Sequence, residues 1–128
     1  MTQERYILDA SALLAMLGRE PGGDAVAMTL AVSAISTVNW SEVLQKARAH
    51  GIDVDGLDRE LESLGLRFVP FGVAQAEAAA DLWLRGEGHL AFADRACLAT
   101  AAVEGSPVVT ADRAWSKVDV GVRVELIR

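Results

Sequence analysis

Near the start of the chain a short apolar run meets an acid and then a helical segment, in the order Tyr6-Ile7-Leu8-Asp9-Ala10-Ser11-Ala12-Leu13-Leu14. The run before the acid is almost continuously apolar, which is typical of a buried parallel strand. Asp9 follows that strand directly and can cap a helix that begins near Ser11. The stretch therefore predicts a strand that leads at once into a helix.

The same alternation of short apolar runs and longer helical segments continues along the chain, and it predicts helices on both faces of a sheet. We expect an α/β fold of three layers, α/β/α, around a central, mainly parallel five-stranded sheet. The predicted strands span residues 5–8, 32–35, 67–69, 107–110 and 122–127, and the predicted helices span residues 11–18, 23–31, 40–50, 54–65, 73–86 and 91–104. Glycines stand where helix C-terminal caps belong, namely Gly51, Gly65, Gly86 and Gly105.

Apolar spacing predicts which side three of these segments bury. The helix over residues 40–50 has an apolar stripe for the sheet, formed by Trp40, Val43, Leu44 and Ala47. The helix over residues 54–65 has Leu57, Leu61 and Leu64 on its apolar side, and the acids of residues 53–62 form a solvated face. The last segment alternates, with Val122, Val124 and Leu126 opposite Arg123 and Glu125, which predicts an edge strand.

Length and composition indicate one domain over residues 1–128. Because 52% of its residues are apolar, the chain can bury a core without metals or disulfides. The single cysteine, Cys97, is expected to be a buried filler in a reducing cytoplasm. No apolar run approaches the roughly 20 residues that a membrane helix needs. The net charge of -6 argues against nonspecific coating of nucleic acid, but it leaves a locally held nucleic acid substrate open.

Four of the 18 acidic residues fall at one edge of the predicted sheet. Asp9 and Asp112 directly follow strands, while Glu42 and Asp94 lie in the first turns of helices. In a parallel α/β fold, strand C-termini and helix N-termini share the edge at which ligands bind. Each acid also has a structural explanation, since Asn39-x-x-Glu42 has the spacing of a capping box and the others fit caps or turns.

Together the four acids predict a cation site. Carboxylates roughly 4 Å apart repel by about 4 kcal/mol at an effective dielectric constant of 20, so a cluster needs protonation or a bound cation. Oxygen ligands without cysteine or histidine favour Mg²⁺ or Mn²⁺ over zinc. His50 and His89 are isolated in the sequence and are expected at the surface or at helix ends. An acidic site with such ions is suited to phosphodiester hydrolysis.

Other classes of protein fit these residues less well. A haloacid-dehalogenase phosphatase needs Asp-x-Asp after the first strand, where this chain has Asp9-Ala10-Ser11. A two-component receiver domain needs paired acids after the first strand and a lysine after the penultimate one, and the sequence has neither. The motifs of nucleotide-binding proteins and serine hydrolases are also missing.

Four segments carry a family resemblance: residues 7–14, 38–44, 91–99 and 108–115, which read ILDASALL, VNWSEVL, AFADRACLA and VVTADRAW. Their order and spacing resemble those of the PIN-domain ribonucleases, and within them the VapC-like toxins of bacterial toxin-antitoxin pairs. The resemblance implies four catalytic acids that bind Mg²⁺ or Mn²⁺, namely Asp9, Glu42, Asp94 and Asp112. In this family pattern Glu42 binds a second metal ion or orients the attacking water.

The resemblance also assigns roles around the acids. It implies that Ser11 and Thr110 hydrogen-bond to the carboxylates. Trp115 stands where family members sometimes have another acid, so a single tightly held ion is an alternative. Arg95 and Arg113 each follow a site acid and are candidates to bind substrate phosphate, or else they neutralise the acids or face solvent. We expect the other tryptophans, Trp40 and Trp83, in the core and Trp115 near the site.

The implied function is that of an endoribonuclease toxin with an RNA substrate and a cognate antitoxin protein whose inhibitory segment is basic. A homodimer is also implied, and the apolar stretch Ala10–Leu17 suits either that contact or packing within the monomer. We expect RNA to approach the edge that carries Arg95 and Arg113. The alternative is a PIN scaffold without catalysis that binds RNA or a partner, which Trp115 and the net charge favour and the intact set of four acids opposes.

Overall fold

The computed structural model describes residues 4–84, 90–117 and 121–128. Five strands form its centre: β1 (Tyr6–Leu8), β2 (Ser33–Ser36), β3 (Arg67–Val69), β4 (Val108–Thr110) and β5 (Val124–Leu126). Their order in the sheet is β3-β2-β1-β4-β5, and each neighbouring pair is parallel. The predicted parallel sheet is confirmed, and β5 lies at an edge as predicted.

Within the described residues, six α-helices surround the sheet: α1 (Ala10–Leu17), α2 (Gly23–Thr29), α3 (Thr37–Ala49), α4 (Leu57–Ser63), α5 (Val73–Leu82) and α6 (Phe92–Glu104). Short 3-10 turns span Leu30–Val32 and Arg113–Lys117. Three of the predicted glycine caps adopt a positive φ at or just past helix ends, namely Gly51, Gly65 and Gly105. The fourth, Gly86, and also His89 lie outside the described residues.

The start of α3 differs from the sequence prediction by three residues. α3 starts at Thr37 rather than at residue 40, because the Ser36 hydroxyl accepts a hydrogen bond from the Val38 N–H at 3.2 Å and caps the helix. Asn39 therefore lies inside the helix. The structural alternative for this pair, a capping box formed by Asn39 and Glu42, is therefore wrong.

Alternate residues of the strands build two cores, one on each face of the sheet. The first core contains Leu8, Ile35 and Val109, and the second contains Ile7, Ala34 and Val108. α1 and α3 contribute Leu13 and Val43 to the first, while α6 contributes Leu98 to the second. Helices thus cover both faces, which confirms the three-layer α/β/α architecture.

Four apolar residues lie elsewhere than predicted. Trp83 and Leu64 are 57% and 59% exposed, and each directly follows the last residue of its helix, α5 and α4 respectively. Leu126 is also exposed, since its neighbour Ile127 packs against the first core instead. Trp115 is only 1% exposed and its side chain belongs to the second core, where it cannot stack on a base.

Other expectations about single residues are confirmed. Cys97 is fully buried, and burial raises the pKa of its thiol well above the ordinary value, which makes it unreactive. His50 is exposed at the C-terminal end of α3. Acids between residues 53 and 62 face solvent. Within the described residues, none of the helices has the length and apolar character that crossing a membrane requires.

Candidate active site

Asp9 lies at the centre of the candidate site, where β1 ends beside β4. It caps α1, and its Oδ1 accepts hydrogen bonds from the Ala12 N–H at 2.8 Å and the Ser11 hydroxyl at 2.7 Å. Its Oδ2 accepts a hydrogen bond of 2.5 Å from the Thr110 hydroxyl. Asp9 is buried, with 6% of its surface exposed. Three donors thus fix both oxygens of this carboxylate in place.

The two hydroxyls around Asp9 also hold the strand ends together. Ser11 Oγ accepts a hydrogen bond from the Ala111 N–H at 2.9 Å, and Thr110 Oγ1 accepts one from the Asp112 N–H at 3.0 Å. Each hydroxyl therefore donates to Asp9 and accepts from the main chain that follows β4. This arrangement joins the end of β1 to the segment that carries Asp112.

Asn39 connects the two helices that carry the remaining acids. Its Nδ2 donates to Glu42 Oε1 at 3.0 Å and to the Ala93 carbonyl oxygen at 3.0 Å. Ala93 precedes Asp94 in the first turn of α6, so one buried amide positions both acid-bearing elements. Asn39 is 1% exposed, and its Oδ1 has no hydrogen-bond partner among the described residues. The sequence offers for Asn39 only the spacing of a capping box with Glu42, which does not indicate this role.

Electrostatics places the four acids in one neighbourhood. The pKa of Asp94 is raised from 3.8 to about 6, first by burial and then, in decreasing order, by the negative charges of Glu42, Asp9 and Asp112. The pKa of Asp9 is also raised, chiefly by burial, although the hydrogen bonds from its neighbouring hydroxyls oppose the shift. Negative charge is therefore costly at this edge of the sheet, which is the situation that a cation relieves.

Lys46 is the cation whose charge lowers the pKa of Asp94. It lies on α3, four residues and therefore about one turn after Glu42, so the two side chains are on the same helix face. The spacing Glu42-x-x-x-Lys46 is the sequence signal that indicates a lysine close to the acids. Lys46 offsets only part of the negative charge of four acids.

Asp112 is the exposed member of the group. Its Oδ1 accepts a hydrogen bond from the Ala114 N–H at 2.9 Å, which begins the 3-10 turn Arg113–Lys117. The Nε of Arg113 donates to the Arg128 carbonyl oxygen at 3.2 Å, and the Nε of Arg95 donates to the Leu90 carbonyl oxygen at 3.4 Å. Main-chain oxygens thus hold both guanidinium groups, and their contact with a phosphate stays a prediction.

The four carboxylates are suitable ligands for a divalent cation, but their positions are only partly suited to direct coordination of one ion. Carboxylate oxygens are the ligands that Mg²⁺ and Mn²⁺ prefer. No three Asp, Glu, His or Cys side chains in residues 4–84, 90–117 and 121–128 converge closely enough to hold an ion directly. Mg²⁺ commonly keeps several waters and uses only one or two carboxylates as direct ligands, so a water-bridged ion is compatible with this geometry.

Comparison with known proteins places the chain in a family. The model of the PIN domain matches residues 6–121, which include β1, all six helices and all four acids. The chain belongs to the PIN-domain family. A comparison with proteins of curated function gave no significant match.

Structural neighbours of this PIN domain are chains from toxin-antitoxin complexes. The DNA-bound VapBC of Salmonella typhimurium matches with a TM-score of 0.74 and 16% identity, covering 98% of this chain and 100% of that one. A toxin-antitoxin complex from Klebsiella pneumoniae matches with a TM-score of 0.73 and 20% identity, covering 96% and 98%. VapBC-5 from Mycobacterium tuberculosis matches with a TM-score of 0.63 and 23% sequence identity, and the match covers 98% of this chain and 99% of that one. At these identities the matches establish the shared fold.

Proposed function

We propose that this PIN-domain protein is a Mg²⁺- or Mn²⁺-dependent endoribonuclease that acts as the VapC-like toxin of a toxin-antitoxin pair. The observation that carries the proposal is the shared electrostatic neighbourhood of Asp9, Glu42, Asp94 and Asp112 at the C-terminal edge of the sheet. The family membership and the toxin-antitoxin complexes among its structural neighbours support the same function.

The four acids would hold the metal, and it would polarise the phosphodiester and lower the pKa of an attacking water. The chain itself supplies the orientation of these acids. Thr110 and Ser11 fix both oxygens of Asp9, and Asn39 directs the Glu42 carboxylate. These hydrogen bonds restrain the carboxylates of Asp9 and Glu42 when the metal is absent.

The proposed antitoxin has a candidate binding groove on the first-core side. α1, α3 and the segment before α4 enclose a groove of about 490 Å³ whose apolar lining includes Leu14, Leu17 and Ile52. Ile52 is 54% exposed, which suits a surface that an apolar helix of a partner covers. Lys46 also lines the groove and lies about one turn after Glu42 on α3, so the groove extends along the helix that carries Glu42.

The proposed homodimer contact through α1 has less support than the proposed antitoxin groove. Four residues of the stretch Ala10–Leu17 are buried within the monomer, namely Ala10, Ala12, Leu13 and Ala15. Packing within the monomer therefore accounts for most of its apolar surface. Leu17 is left 36% exposed at the end of the helix. The dimer remains a proposal, and sedimentation of the purified protein tests it.

An RNA cleavage assay tests the proposed activity. We expect the purified protein to cleave cellular RNA with added Mg²⁺ or Mn²⁺ and to stop when EDTA is added. Asp9→Asn and Asp94→Asn should lose cleavage and growth inhibition. Glu77→Gln is the matched control, since Glu77 is an exposed acid of α5 and its loss removes the same charge. Cleavage that persists in both aspartate variants, or its absence from the wild type, would contradict the proposal.

A PIN scaffold that binds RNA or a partner without catalysis is the second candidate. Two observations favour it: the carboxylates are not preassembled as a direct ligand set in the described residues, and the position that holds an acid in some relatives carries the buried Trp115. Titration calorimetry with Mn²⁺ separates the two. Tight Mn²⁺ binding together with single-turnover cleavage removes the binding-only candidate, whereas RNA binding without either supports it.

A further inference from the structure

Two phenylalanines, of which Phe92 is exposed and Phe71 is partly buried, form a ring pair near the start of the helix that carries Asp94. The centroids of Phe71 and Phe92 are 5.6 Å apart, and the ring planes are inclined by 80°. Phe92 is 51% exposed, and Val73, two residues after Phe71, is 75% exposed. We call Phe71 and Phe92 the aromatic platform. Neither core cluster of the described residues includes the platform, so packing of the core does not account for it.

The platform is tied to both helices that carry site acids. Phe92 is the first residue of α6 and precedes Asp94 by two residues. The N–H of Phe71 donates to the hydroxyl of Thr37 at 3.1 Å, and Thr37 is the first residue of α3, which carries Glu42. The position of the two rings relative to the acids is therefore set by α3 and α6, which Asn39 also links.

A cation lies next to the platform. The guanidinium carbon of Arg95 is 5.8 Å from the centroid of the Phe92 ring, and its Nε is held by the Leu90 carbonyl oxygen. Arg95 follows Asp94 directly in α6. Phe92 and Arg95 are three residues apart and share one face of the first turn of α6, and Asp94 lies between them in the sequence. A ring for a base, a guanidinium for a phosphate and a site carboxylate are thus present within a single helical turn.

We propose that the aromatic platform stacks an unpaired base of the RNA, next to the phosphate that the acids act on. The proposal rests on the proposed ribonuclease function and adds a binding site for one nucleotide. Single-stranded RNA exposes base faces, and aromatic side chains accept them with little dependence on sequence. Arg95 binds the phosphate of the same nucleotide or of its neighbour, so Phe92 and Arg95 together set which stretch of RNA enters.

Binding of two matched probes tests the platform. The full chain carrying Asp9→Asn, which binds without cleaving, is titrated with a fluorescent oligouridylate and with an abasic ribose-phosphate oligomer of the same length. We expect Phe92→Ala to weaken oligouridylate binding by about 5- to 150-fold and to leave abasic binding unchanged. Phe92→Trp should retain the preference for bases. Val103→Ala is the control, because Val103 is an exposed apolar residue at the other end of the same helix.

The outcomes separate this proposal from the proposed function. Suppose that the wild type cleaves RNA but Phe92→Ala changes the binding of both probes equally, or of neither. The base-stacking proposal is then refuted, whereas the proposed ribonuclease function is supported. If the wild type neither binds nor cleaves RNA, both fail. If Phe92→Ala dissociates a homodimer in sedimentation and leaves oligouridylate binding unchanged, the rings form a protein interface and the platform is overturned. Thermal unfolding of each variant checks that it is folded.

Discussion

Replacing Asp94 by asparagine should make the metal-free protein more stable while it removes activity. The pKa of Asp94 is raised from 3.8 to about 6, which corresponds to about 3 kcal/mol at 1.36 kcal/mol per unit. We reduce this to about 1–2 kcal/mol, because the side chain is only half-buried and solvent screens its charge. The negative charge in the first turn of α6 gains about 0.3–1 kcal/mol from the helix dipole, which the variant loses. The expected net gain is about 1 kcal/mol.

The pH dependence follows from the direction of the shift. An acid with a raised pKa destabilises the folded state above that pKa and ceases to do so when it is protonated. The metal-free wild type should therefore gain stability as the pH falls from 8 through about 6 towards 3.8. Asp94→Asn removes this contribution, so the difference between the two proteins should be largest at pH 8 and should disappear at low pH.

Thermal unfolding in EDTA measures the effect. At pH 8 we expect Asp94→Asn to raise Tm by about 3–5 °C, the equivalent of about 1 kcal/mol for a chain of this size. Glu77→Gln removes the same charge from an exposed position and should change Tm little. Added Mg²⁺ should raise the Tm of the wild type more than that of Asp94→Asn. A lower Tm for Asp94→Asn at pH 8, or an equal gain for Glu77→Gln, would refute the reasoning.

Three further predictions concern the groups around the acids. Thr110→Val removes a donor to the buried carboxylate of Asp9 and should lower the free energy of unfolding by about 1–3 kcal/mol in urea titrations at pH 8; an unchanged midpoint would contradict it. Asn39→Leu removes the donor to Glu42 and should slow single-turnover RNA cleavage by about 10- to 100-fold, and full activity would exclude the positioning role. Trp115→Ala should lower the unfolding free energy by about 3–5 kcal/mol, whereas Trp115→Phe should keep the RNA affinity of the wild type, as measured by anisotropy.

Much of the fold could be predicted because it depends on local sequence. Apolar runs of strand length and helical spacing are properties of neighbouring residues, and together they indicated the order of elements. The rule that strand C-termini share one edge of a parallel sheet then grouped four acids that are distant in sequence. The electrostatic coupling of Asp94 to the other three agrees with that grouping.

What the sequence did not predict depends on contacts between distant segments. Asn39 bonds to Ala93, 54 residues later, and no local pattern indicates that α6 lies there. The pairing of Phe71 with Phe92 likewise requires the packing of α6 beside the segment before α5. Trp115 enters the core because a 3-10 turn after β4 directs it inward. The end of α5 at Leu82 was also not predicted, and Trp83, which directly follows it, is exposed.

The central place of β1 in the sheet affects when the candidate site can form during synthesis of the chain. One partner of β1 is β2, which follows within about thirty residues, and the other is β4, which begins at Val108. The Asp9 carboxylate is therefore fully oriented only after Thr110, 101 residues later in the chain, has been synthesised and has formed its hydrogen bond. In a nascent chain whose β4 has not yet joined the sheet, neither this hydroxyl nor Asp112 is at the site. Nascent chains should thus lack the proposed nuclease activity until β4 has been synthesised and has paired with β1.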